Sequence, residues 1–145
     1  GAPGPRVARR HRVTGLVLAA DAVTALATGS SEHARTLRRT AAAEGVTLAV
    51  PAAAYTVSWA RSAPAGRWFL GALVDLAAVV VDPLDAATAR AAGVVLASRT
   101  TGAAALRVDL GHAVVSARAR GWPLLTADAG PLLLLAPDVD VVGLP

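Results

Sequence analysis

Cysteine is absent from the 145 residues. That excludes disulfides and thiolate metal sites, and it fits a reducing, cytoplasmic setting, which is the expected localisation. Aromatic residues make up only 3% of a chain that is 54% hydrophobic, so any core must be aliphatic, built from Ala, Val and Leu. No apolar run approaches the ~20 residues that a membrane helix needs. The run from Leu132 to Ala136 suits a buried element of a soluble domain instead. Methionine is missing, so Gly1 to Pro5 reads as a trimmed or replaced start and is set aside from the fold. The basic start is followed directly by no apolar stretch, so no secretory leader is expected. A phosphate-binding glycine loop, a Ser-His-Asp arrangement and His/Cys metal spacings are missing as well, which counts against a generic small-ligand α/β domain.

Charge is unevenly placed. The net charge is +4, from 14 basic and 10 acidic residues, and every basic residue is Arg. Setting aside Arg6, Arg9, Arg10 and Arg12 leaves ten of each sign. The excess therefore belongs to an arm over residues 1–12, and the body over 13–145, expected to be a single domain, is neutral. A charge block of this kind is expected to be solvated and disordered. It can also touch nucleic-acid phosphates without sequence preference, which makes those four arginines candidate nucleic-acid contacts.

What remains is a regular alternation. Val13 to Ala20 (VTGLVLAA), Val46 to Val50 (VTLAV) and Ala78 to Val81 (AVVV) are continuous apolar runs, as are Leu124–Thr126 and Val139–Val142. Continuous rather than alternating apolarity predicts strands buried on both faces, as in a parallel sheet. Between them lie helical stretches: 22–28 stopped by Gly29, then one capped by Ser30 or Ser31 and stopped by Gly45, then Pro51 to Arg61 and Trp68 to Leu76. The stretch Asp82-Pro83-Leu84-Asp85 predicts a helix start, with Asp82 at the cap and Pro83 in the first turn. Arg99 to Ala103 reads as a loop, and Leu106 to Arg120 as a helix stopped by Gly121. Strands alternating with helices predict an α/β fold with a mainly parallel five-stranded sheet covered on both faces. Such sheets bind ligands beyond the carboxyl ends of their strands. Asp21 and Asp128 each follow a strand, so both are expected to reach one crevice.

Four segments in this order carry a resemblance: LVLAADAVTAL, AVPAAAYTVSWAR, VVVDPLDAATARAAGVVLA and GHAVVSARARGWPLLTADAGPL. Together they resemble the PIN-domain family, in particular VapC-type toxins of toxin–antitoxin pairs. The resemblance implies a three-layer α/β/α domain that cuts RNA with Mg²⁺ or Mn²⁺ held by three or four carboxylates. It also implies an antitoxin-like partner and a homodimer. Hard divalent cations want oxygen ligands, and phosphodiester hydrolysis wants an activated water and a stabilised leaving oxygen.

Residue by residue the pattern departs from the family. The acid usual after the first strand falls on Ala19, with Asp21 two positions later. The acid expected six residues after Pro51 falls on Val57, in a register supported by Trp59. The third falls on Leu110, with Asp109 one residue early. The last, in T-x-D, is present as Asp128 with Thr126 before it. The candidate site is therefore Asp21, Asp109, Asp128 and Thr126, with the three aspartates as candidate metal ligands. The other reading of the same departures is a catalytically inactive PIN-like domain that binds protein or RNA. Asp21, Asp109, Asp82 and Asp85 are also candidate helix caps, and His112, one turn after Asp109, reads as a structural histidine.

Overall fold

The structure is a computed structural model that describes residues 14–98 and 106–145. The arm carrying Arg6, Arg9, Arg10 and Arg12 and the expected loop at Arg99 to Ala103 lie outside the described residues. Five strands form one sheet: β1 (Gly15–Leu18), β2 (Thr47–Pro51), β3 (Val79–Asp82), β4 (Leu124–Thr126) and β5 (Val141–Gly143). Their order is β3-β2-β1-β4-β5, and every neighbouring pair is parallel. Seven helices are present among the described residues: α1 (Ala20–Thr28), α2 (Glu32–Glu44), α3 (Ala52–Arg61), α4 (Pro64–Val74), α5 (Ala86–Ala97), α6 (Val108–Arg120) and α7 (Gly130–Leu135).

The continuous apolarity of the strands is explained by two cores. Leu16, Leu18, Leu48, Val50 and Leu125 point to one face, where they meet Val23 and Leu26 of α1 and Leu70 and Leu73 of α4. Val17, Ala19, Ala49 and Leu124 point to the other, against Val95 and Leu96 of α5, Ala113 and Val114 of α6, and Leu132 and Leu135 of α7. A side-chain period of two then requires apolar residues at every position of a central strand. The chain runs from β1 outward through β2 to β3, then crosses to β4 on the far side of β1. Right-handed crossovers with that reversal put helices on opposite faces. The reversal leaves a topological switch point between β1 and β4.

Glycine fixes several joints. Gly29, Gly45 and Gly121 end α1, α2 and α6 at φ of 62°, 69° and 66°, a left-handed conformation that side chains resist. At Gly15 the Trp122 ring lies where a Cβ would stand. Ser31 caps α2 by accepting from the Ala34 N–H at 3.1 Å.

Some expected boundaries move, for local reasons. Asp82 does not cap a helix. It ends β3, in register with Pro51, and its carboxylate takes Arg120 at 2.6 and 3.0 Å. Asp85 caps α5 instead, accepting from the Thr88 N–H at 2.8 Å. α4 starts at Pro64 rather than Trp68, with proline in the first turn. Strand β1 ends at Leu18, and Ala20 is already helical. Helix α7 was not expected, because six residues are too few to display a period.

Candidate functional site

Beyond the carboxyl ends of β1 and β4, at the switch point, lies a crevice of about 150 Å³. Ala19, Asp21, Arg61, Arg107, Asp109, Thr126 and Asp128 are among its lining residues. All four residues proposed from the sequence are thus brought to one place, from segments up to 107 positions apart in the chain.

Asp21 stands in the first turn of α1, whose cap is Ala19 rather than Asp21 itself. Its carboxylate accepts from the Thr126 hydroxyl at 2.9 Å, from the Ala127 N–H at 2.9 Å and from the Ala22 N–H at 2.7 Å. It clips the turn after β4 to the start of α1, and both its oxygens have donors. Thr126 is buried, and its Oγ1 also accepts from the Asp128 N–H at 3.2 Å. This is the local logic of T-x-D: the threonine hydroxyl bridges the first carboxylate and the turn that aims the second. Asp128 is exposed, and its Oδ1 accepts from the Gly130 N–H at 3.3 Å.

Asp109 lies in the first turn of α6 and is only 4% exposed. It caps nothing, since the residue at the cap is Arg107. Arg107 folds onto it through two parallel bonds, Nε to Oδ1 at 3.1 Å and Nη2 to Oδ2 at 2.9 Å. Donating these bonds to Asp109 raises the Arg107 pKa above its already high value, and the charges of Asp109 and Asp21 add to the shift. Arg107 therefore lies within the field of both carboxylates. Arg61, in the last turn of α3, lines the same crevice, and its side chain makes no hydrogen bond or ion pair among the described residues.

Sequence reasoning missed both arginines. Arg107 has a legible signal, an R-x-D at a helix start, but Arg61 has none. The two acids missing from the pattern are placed differently. Ala19 lines the crevice, whereas Val57, on α3, is half-buried against the first core and is not among the crevice's lining residues. His112 is not in the crevice. It is fully buried, and its Nδ1 accepts from the Ala53 N–H at 3.3 Å. Its Nε2 has no hydrogen-bond partner among the described residues, although the Pro83 carbonyl lies near enough to offset part of the burial that lowers its pKa.

The donor set does not fit a Mg²⁺ or Mn²⁺ ion as these side chains stand. Asp109 is spoken for by a guanidinium, Asp21 already has a donor on each oxygen, and among the described residues Asp128 alone of the three keeps an oxygen without one. Among the described residues no group of three His, Cys, Asp or Glu side chains is disposed to hold a metal ion.

The fold and crevice define a class: a parallel α/β domain with carboxylates gathered at the switch point. It is the PIN-like fold of VapC toxins. The chain is similar to VapC20 of Mycobacterium tuberculosis, a toxin that cleaves the sarcin–ricin loop, with a TM-score of 0.64 at 15% identity over 88% of this chain and 98% of that one. It is also similar to VapBC2 of Rickettsia felis, bound to a DNA fragment from its promoter, with a TM-score of 0.62 at 13% identity over 90% and 99% of the two chains. No protein-family model matches the sequence. No curated protein matches it either.

Proposed function

We propose that this chain is a VapC-type PIN-domain protein that acts on RNA at the β1–β4 crevice, and that its metal-dependent cleavage is residual. The observation that carries the reading is the convergence of Asp21, Thr126 and Asp128 with Asp109 at the switch point of a VapC-like fold. An RNA substrate is favoured because one neighbour is a toxin that cleaves the sarcin–ricin loop. An antitoxin-like partner is favoured because the other was crystallised as a VapBC assembly, and a homodimer remains part of the same reading. Arg6, Arg9, Arg10 and Arg12 would add phosphate contacts that weaken with salt.

Residual cleavage follows from the lining. Ala19 and Val57 contribute no oxygen, and Arg107 holds Asp109. Three aspartates against two arginines leave the crevice a formal charge of −1, where carboxylates alone would give −3. That lowers both the demand for a divalent ion and the repulsion of an RNA phosphate. The Arg107–Asp109 pair also favours the second reading, a PIN-like module that binds RNA or a protein partner without cutting.

The test is cleavage of a structured RNA by wild type and Asp128→Asn, each with Mn²⁺ and with EDTA. Slow cleavage by wild type that is lost in both controls supports the toxin-type nuclease. RNA binding without cleavage in every arm moves the protein to the binding reading. Absence of binding and cleavage alike overturns the proposal.

A further inference from the structure

We infer that Arg107 is a resident cation of the crevice, occupying the Asp109 carboxylate that a divalent ion would otherwise need and keeping the site metal-free until its side chain leaves Asp109. The inference rests on reading the crevice as the remnant of an acidic site. Its own evidence is geometric. Both Asp109 oxygens are taken by one planar fork at 2.9 and 3.1 Å, the bidentate arrangement that binds a carboxylate most strongly. The carboxylate is buried at 4% exposure while the Arg107 side chain is 44% exposed. The cation is thus the solvent-facing partner of a buried carboxylate. Arg107 also feels the charge of Asp21 across the crevice. A guanidinium is always charged and needs no stripping of tightly held water, so it offsets the buried carboxylate where an ion would first have to dehydrate.

The arrangement has a consequence that a merely stabilising ion pair lacks. A divalent ion and Arg107 compete for the same two oxygens, so removing the guanidinium should create metal affinity rather than only lower stability. Arg107 can also leave, since it sits at the helix cap with its outer edge in solvent.

The experiment is Mn²⁺ binding to wild type, Arg107→Gln, Arg107→Lys and the double variant Arg107→Gln/Asp109→Asn, followed by calorimetry and by thermal shift against EDTA. Wild type should show no Mn²⁺-dependent rise in Tm. Arg107→Gln should melt lower in EDTA, regain Tm with Mn²⁺ and bind the ion roughly tenfold or more tightly than wild type, because a ligand bound only to the native state stabilises it. Arg107→Lys keeps the charge and should stay insensitive to Mn²⁺, and the double variant should lose the gain. Wild type binding Mn²⁺ as tightly as Arg107→Gln would overturn the inference. So would an Arg107→Gln protein that stays unfolded, or gains nothing, in Mn²⁺. None of these readouts uses RNA, so a failed RNA assay and a failed metal assay are separable.

Discussion

Helix α6 carries the same chemistry at both ends, and the two ends behave differently. At its start Arg107 grips Asp109, and at its finish Arg118 grips Asp138 and Arg120 grips Asp82, all through paired bonds of 2.6 to 3.1 Å. Each end also suits the helix dipole, with an acid in the first turn and arginines in the last. What separates them is burial. Asp109 is 4% exposed, against 16% for Asp82 and 59% for Asp138, so the contrast is full for Arg118–Asp138 and partial for Arg120–Asp82. A buried carboxylate that loses its partner keeps its desolvation cost, while an exposed one simply takes water. One geometry is therefore a structural requirement at the crevice and a minor ornament at the far rim.

The largest way to sharpen this contrast is Arg107→Ala. It should lower unfolding stability by an amount near the low end of the ~3–5 kcal/mol seen when one partner of a buried pair is removed, because Arg107 itself is partly solvated. Urea unfolding measures it. A loss no greater than that of a rim variant would break the comparison.

One turn along the same helix, His112 tests burial without a bonded ion-pair partner. Burial lowers its pKa below the ordinary 6.5, against opposing pulls from Asp82, the Pro83 carbonyl and Asp85. The unfolded chain therefore takes up a proton that the folded protein refuses. The stabilisation is full above about pH 6.5 and falls as the solution is acidified below it, by at most about 1.4 kcal/mol per pH unit. The difference in urea midpoint between wild type and His112→Gln, followed from pH 7.5 to pH 5, should shrink with acid. A difference independent of pH would mean that folding leaves the His112 pKa where it is in the unfolded chain, and one that grows with acid would mean that the fold favours its charged form.

The smallest effect is expected at the rim. Arg118→Ala should cost about 1 kcal/mol or less, and salt should diminish even that, since both partners are well solvated. Arg120→Ala should cost somewhat more, because Arg120 also lies over the Trp122 ring at 4.7 Å.

The cavities among the described residues carry a related lesson. The largest, about 470 Å³, opens at the amino ends of β2 and β3 between Arg38, Leu48, Leu76 and Val79, and no carboxylate lines it. The crevice gathers Asp21, Asp109 and Asp128 at the carboxyl ends of β1 and β4, while Asp138 and Asp140 line a third cavity of about 180 Å³ beside Trp122, away from those ends. Position relative to the strand ends, rather than size, marks the candidate site in a parallel sheet.

The sequence by itself determined the layered architecture. Two-sided apolar strands, glycine stops at Gly29, Gly45 and Gly121, and the spacing from β1 to T-x-D are local signals, and each is set by a period or a left-handed turn that nearby residues dictate. It also brought Asp21, Asp109, Thr126 and Asp128 into view as one set. The capping role open to Asp82 went to Asp85, because β-ladder pairing with β2 claimed Asp82 first. Only the tertiary structure decided what the carboxylates do. Whether Asp109 faces an ion or a guanidinium depends on Arg107 folding back over it, and whether Asp21 is a ligand or a clip depends on a threonine 105 positions away. Periodicity reports which face a residue takes. It carries no record of which charge from elsewhere in the chain arrives to meet it, since that choice is made by packing and desolvation across the whole fold.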